Sequence, residues 1–264
     1  MTANLRFIHQ NLTFTAYTGN KEGDHVKTKR KGSARQVVSL VVFITMVVST
    51  VVVAVAMALA PAVPTEGYAR IKSDYVLMLL QSVLGIFAML LPRWLYRKWG
   101  VEIPSFMMVL YAAFLYCSIY LGEVRGFYFL IPYWDTILHT FSGIALGALG
   151  FSVLTFLNKT DRVPFNLSPA FVAVFAFCFA VAVDVVWEIY EFAADGLLTM
   201  NMQKHSLANG QALVGRAALS DTMTDLIVDS IGAAVISLIG YVSLKFKKGW
   251  VEKLLLRVQK KKED

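Results

Sequence analysis

The chain has 264 residues, of which 57% are hydrophobic and 16% charged, with a formal net charge of +7. Soluble domains of this size carry about 25% charged residues, so this composition and its positive mean hydropathy exclude a water-soluble globular protein and place the chain among polytopic membrane proteins. The basic excess reads as a membrane-topology signal rather than a nucleic-acid footprint, and no nucleic-acid partner is expected.

Residues 1–36 are polar and basic around Lys27–Lys31, without an apolar period. They are expected to form a flexible cytoplasmic tail attracted to anionic lipid. Six apolar runs follow, each about the 20 residues a helix needs to cross the hydrocarbon core: Val37–Ala60, Tyr75–Leu91, Pro104–Leu121, Trp134–Leu157, Pro169–Asp195 and Asp221–Leu244. The first exceeds the h-region of a signal peptide. A-x-A sites occur between Ala54 and Ala60, but Pro61 follows the last, and a retained span is expected. Pro132 and the Ser168-Pro169 pair mark the starts of the fourth and fifth spans.

The fold class is therefore all-α, a six-helix transmembrane bundle over residues 37–244. With the N-terminus inside, the inner segments hold 20 of the 25 lysines and arginines. The positive-inside rule then puts both termini in the cytoplasm of an inner-membrane protein. Residues 245–264 form the second basic tail. Trp250, Val251, Leu254, Leu255 and Val258 share one helical face there, as expected of an amphipathic helix lying on anionic lipid. The longest outer connection, Gly196–Ser220, reads as a functional loop. Cys117 and Cys178 lie mid-span, outside any C-x-x-C, which excludes a disulfide framework or a zinc ribbon; both are expected as small buried residues.

The informative residues are acids inside the last three spans: Asp135 with His139; Asp184, Glu188, Glu191 and Asp195; and Asp221, Asp225 and Asp229. Ionisable groups in lipid are costly and mark functional sites. At 100° per residue the acids of the fifth span fall within about 60° and those of the sixth within about 80°. The fourth and sixth spans carry theirs early and the oppositely directed fifth carries its own late. All nine groups thus occupy the outer half of the bilayer. Ser142, Gly143, Gly147, Gly150 and Gly232 supply small faces for close packing of these helices.

Eight carboxylates together require compensation by protons, a cation or outer-loop bases. Oxygen ligands with one imidazole suit a divalent Mg, Mn or Zn ion, and no organic cofactor is indicated. Asp135, His139, Glu188 and Asp225 form the expected inner metal set, with Glu191 and Asp229 next. His139 or Glu188 is the candidate general base. Arg216, Lys204 and Arg125 are candidate receptors for a substrate phosphate. Asp184, Asp195 and Asp221 complete the acidic face. Bland readings compete: Asp135 and Asp221 as helix-start acids, Asp195 as a solvated helix end, Tyr133 and Trp134 as belt aromatics, and Trp187 and Tyr190 as packing residues.

The strings Trp134-Asp135-x-x-x-His139-x-x-x-Gly143, Trp187-Glu188-x-x-Glu191 and Asp221-Thr222-x-x-Asp225-x-x-x-Asp229-x-x-Gly232-Ala233 resemble the YjdF-like family of bacterial inner-membrane proteins. The resemblance covers spans four to six and implies the six-span layout without implying a reaction. The same order of acids is more distantly similar to VanZ-like membrane proteins, departing where Glu191 replaces an expected glutamine and Asp229 an expected asparagine. Three functions are open: a metal-dependent hydrolase or transferase acting on a lipid or lipid-linked envelope substrate, a cation or proton transporter, and a non-catalytic assembly partner.

Overall fold

The computed structural model describes residues 34–62, 70, 72–158, 167–198, 200–207, 211–250 and 257–258. Helix α1 spans Ala34–Leu59, α2 Lys72–Trp99 and α3 Ser105–Leu115, which widens into a π-helix over Tyr116–Val124. A single turn, α4, covers Phe127–Leu130. Helices α5 (Trp134–Asn158), α6 (Pro169–Leu198) and α7 (Arg216–Lys245) complete the chain of helices. Among the described residues, six helices are long and apolar enough to cross a membrane, in agreement with the six apolar runs. Residues Val101–Glu102 (β1) and Arg257–Val258 (β2) make a two-residue antiparallel pair. Residues 34–36 of the expected N-terminal tail belong to α1; the rest of that tail and most of the C-terminal amphipathic helix lie outside the described residues, and Arg257 and Val258 are extended.

Lipid replaces water around this fold, so the outer faces are apolar. On α1, Val41, Ile44, Val48, Val51, Val52 and Val55 all point outward. Several hydroxyls within the spans bond to their own helix: Thr45 donates to the Val41 carbonyl at 2.9 Å, Thr140 to Thr136 at 2.7 Å and Ser152 to Ala148 at 3.1 Å.

Helices α1 to α3 pack on one another around Val42, Met46, Met89, Ala112 and Leu115. Helix α2 continues past Leu91, where the sequence suggests an end, because Pro92 is accommodated inside it. A proline there leaves the carbonyl of Ala88 without its helical donor. The Tyr111 phenol on α3 donates to that oxygen at 2.8 Å, so this carbonyl is not orphaned in lipid.

Helices α5, α6 and α7 form the second half, and their contacts fix directions. Gly143 abuts the Asp229 backbone, Gly147 faces Ile236, and Gly240 faces the ring of Phe151, so α5 and α7 rise together. Gly150 meets Ala176, and Phe151 and Leu154 late in α5 cluster with Val172 and Ala173 early in α6 while the acids late in α6 lie by the start of α5, which makes α6 antiparallel to α5. A Cβ at Gly143 would lie 2.3 Å from the Asp229 carbonyl oxygen, and one at Gly232 would lie 2.6 Å from that of Thr140. Glycine is needed at both places because backbone meets backbone. Cys178 departs from expectation: it faces outward on α6, while Cys117 is partly buried and both are free thiols.

Candidate functional site

The acids converge where α5, α6 and α7 cross. Their helical phase turns them inward, and the small-residue faces bring the helices close enough for side chains to meet. His139 on α5 is the centre. Its Nδ1 bonds to Asp229 Oδ2 at 2.8 Å. The other Asp229 oxygen accepts a 2.8 Å bond from the Ser142 hydroxyl. Asp229 is 2% exposed, with both oxygens engaged. The free edge of the imidazole, Nε2, lies 3.7 Å from Asp135 Oδ1 and 3.9 Å from Asp225 Oδ2. One ligand atom from each of Asp135, His139 and Asp225 lies within 4.8 Å of the other two, a separation a metal ion can bridge.

The arrangement around the histidine is the usual one for a metal-binding imidazole. One ring nitrogen is held by a carboxylate, which sets the tautomer and ring plane, and the other faces the ligand position. Asp225 is 2% exposed and its Oδ2 has no hydrogen-bond partner. Glu188, on α6, is 5% exposed, and neither of its oxygens makes a hydrogen bond of normal geometry although Thr222 stands beside it. Buried polar atoms are rarely left so. Asp184 is also buried, with Oδ2 unpartnered. Glu191 differs: its Oε1 accepts the indole N–H of Trp187 at 2.9 Å. Trp187 thus orients an acid besides packing.

The outer edge of the site is closed by the connection between α6 and α7. Lys204 reaches back to donate to Asp135 Oδ2, and to Asp221 Oδ1 at 2.9 Å. Burial alone would lower the pKa of this ammonium; the Asp135 and Asp221 carboxylates outweigh that and hold it above the ordinary lysine range. Asp221 lies more than a turn inside α7, which starts at Arg216, so it is not a helix-start acid. Asp135 does occupy the first turn of α5 and joins the cluster as well. Asp195 is not a solvated helix end: α6 runs on to Leu198, and its carboxylate accepts the amides of Met202 at 2.7 Å and Gln203 at 3.0 Å and meets His205 Nδ1 at 3.2 Å. Arg125 and Arg216 are exposed at helix ends, apart from the cluster.

Gln203 and His205 carry no sequence signal of their own; Ser142 is expected only as a small packing residue and Thr222 only as part of a motif string, and their bonding roles appear when the helices assemble. Tyr128, on α4, is within electrostatic reach of Asp135, Glu123, Glu191 and Asp225; burial, then these charges, raise its phenol pKa and keep it a neutral donor. The Trp134 indole, expected in an interfacial belt, donates to the Cys117 carbonyl at 3.3 Å and ties α5 to the π-helix.

No solved structure matches the chain. An uncharacterised protein of Thermotoga maritima is 30% identical over 142 residues, 53% of this chain and 64% of its own. The chain thus spans just under two thirds of that relative. A family model described as Predicted membrane protein (DUF2238) matches residues 36–246, which takes in all six long helices and every acid of the cluster. That span covers most of the sequence, and the chain belongs to this membrane-protein family.

Proposed function

We propose that the protein is a divalent-metal-dependent hydrolase or transferase of the bacterial inner membrane, acting from the outer half of the bilayer on a lipid or lipid-linked envelope substrate. The observation that carries the reading is the convergence of His139 Nε2, Asp135 and Asp225 with the opposite imidazole nitrogen anchored on Asp229. Two carboxylates and an imidazole suit Mg, Mn or Zn, and three protein ligands leave coordination positions for water and substrate. Such an ion lowers the pKa of bound water or of a substrate hydroxyl.

A histidine with Nε2 on the ion and Nδ1 on Asp229 has no nitrogen free for a proton. The general base is then Glu188, buried with both oxygens available. Asp229 serves as the orienting carboxylate, and Glu191 with Trp187 lines the wall. Placement inside helices that span lipid favours an amphiphilic substrate, entering from the bilayer. Lys204 is the cation nearest the ligand atoms and is suited to receive a phosphate headgroup.

The test is metal content of the purified protein, by elemental analysis and Mn²⁺ binding, repeated on Glu188→Gln and Asp225→Asn. Asp225→Asn is expected to lose the ion, while Glu188→Gln keeps it and loses turnover on lipid substrates. Absence of metal binding under all conditions, with both variants as stable as the parent, would sink the reading. One observation favours cation or proton transport instead: the acidic face continues one turn deeper to Asp184, whose Oδ2 is buried and unpartnered. Ion flux in proteoliposomes that disappears in Asp184→Asn would support that alternative.

A further inference from the structure

Lys204 is held in place by an unusual amount of local structure. Its φ is +46°, in the left-handed region that residues other than glycine enter at a cost. Its neighbours enforce the bend. Met202 and Gln203 donate their amides to Asp195, and the Gln203 side-chain amide donates to Thr222 Oγ1 at 2.7 Å on α7. Asn201 closes on Ser206, accepting its amide at 2.9 Å and donating to its carbonyl at 2.8 Å. The whole turn aims one ammonium at Asp135 and Asp221.

Asp135 is shared. Its Oδ2 takes the ammonium, while its Oδ1 faces His139 Nε2 across 3.7 Å, where the ion of the proposed centre would sit. A divalent ion and an ammonium on one carboxylate repel at a distance where little water screens them. The unpartnered Oδ2 of Asp225, on a residue 2% exposed, faces the same point from α7. The Lys204 side chain keeps 28% of its surface open, so it has somewhere to go when displaced.

We infer that Lys204 is a tethered counter-cation in exchange with the divalent ion, and that the ammonium released from Asp135 becomes the receptor for a phosphate group. Metal loading thereby arms the lysine, and the ion binds before the anionic ligand. The inference rests on the metal-centre reading and adds an order of binding to it. Linkage requires the ion and the phosphate to strengthen each other's binding by one common factor.

The experiment measures Mn²⁺ affinity of the purified full chain from its paramagnetic resonance signal, alone, with inorganic phosphate, and in nanodiscs containing phosphatidic acid or only phosphatidylcholine. Lys204→Gln removes the ammonium. Lys204→Gly removes it too and relaxes the backbone at φ +46°, so the turn survives the loss of the ion pairs. Both variants are expected to bind Mn²⁺ at least tenfold more tightly than the parent. Phosphate or phosphatidic acid is expected to raise the parent's Mn²⁺ affinity several-fold and that of the variants not at all. Enhancement by phosphatidic acid alone assigns a lipid headgroup; equal enhancement by inorganic phosphate assigns the phosphate itself. Unchanged or weaker Mn²⁺ binding in both Lys204 variants, with Asp225→Asn still abolishing it, overturns the exchange and leaves the metal centre standing. Enhancement that persists without Lys204 overturns its role as receptor. Failure of every protein to bind Mn²⁺ overturns both.

Discussion

Among the described glycines, Gly143 leaves a Cβ the least room against a neighbouring backbone, which makes Gly143→Ala a direct test of how α5 and α7 meet. The added methyl would stand 2.3 Å from the Asp229 carbonyl oxygen and 2.9 Å from its Cα. Non-bonded heavy atoms settle at about 3.5 Å or more, so the helices must part by about 1 Å. Overpacking of this kind costs about 1–3 kcal/mol. His139 lies one turn earlier on the same face, so the 2.8 Å bond from its ring to Asp229 opens with the gap. A hydrogen bond to a charged group adds about 1.5–3 kcal/mol, for a combined loss of about 2.5–6 kcal/mol. Reversible unfolding in mixed micelles reads the loss directly. Gly196→Ala is the control, because a Cβ there meets nothing within 4 Å. Removing a helical glycine where nothing clashes adds up to about 1 kcal/mol. If Gly143→Ala unfolds with the parent, or both alanines destabilise alike, the two helices do not approach as described.

Three further outcomes are expected. Trp187→Phe keeps the ring but deprives the buried Glu191 of its donor; a loss of about 1–3 kcal/mol is expected in the same unfolding assay, and an unchanged midpoint would show the bond to be idle. Asp229→Asn retains shape but removes the charge that orients His139, so metal affinity by calorimetry is expected to fall about 10–100-fold; parental affinity would contradict the orienting role. The third concerns pH. The Lys204 ammonium is held above the ordinary lysine range, so its contribution is complete below the unfolded value of about 10.4. It fades only as pH climbs through the raised folded value. The stability difference between the parent and Lys204→Gln is therefore expected to stay level from neutral pH to about 10 and to shrink only above. A difference that disappears below pH 9 would contradict the ion pairs.

Much of the cluster was legible because helical geometry is periodic. Spacing of three and four residues puts Asp184, Glu188, Glu191 and Asp195 on one face before any contact is known. Span direction sets their depth. The roles within the cluster were not legible. Asp229 and Asp225 are four residues apart on α7 with the same burial, yet one has both oxygens bound and the other has an orphan. That difference depends on where α5 places Ser142 and His139. Asp195 and Asp221 were equally ambiguous, since a helix that ends later or starts earlier than the apolar run turns a helix-end acid into a partly buried, bonded one.

By itself, the sequence determined that this is a six-helix membrane protein with its costly residues on inward faces of the last three helices. Hydrophobic length and a 3.6-residue period are local properties, readable from the order of residues. Only the tertiary structure decided which atoms meet. Asp135 and Lys204 are 69 positions apart, and His139 and Asp229 are 90. Their pairing depends on glycine faces that let backbones touch and on a bent turn tied to Asp195. Distances across such gaps come from packing, which no local pattern encodes.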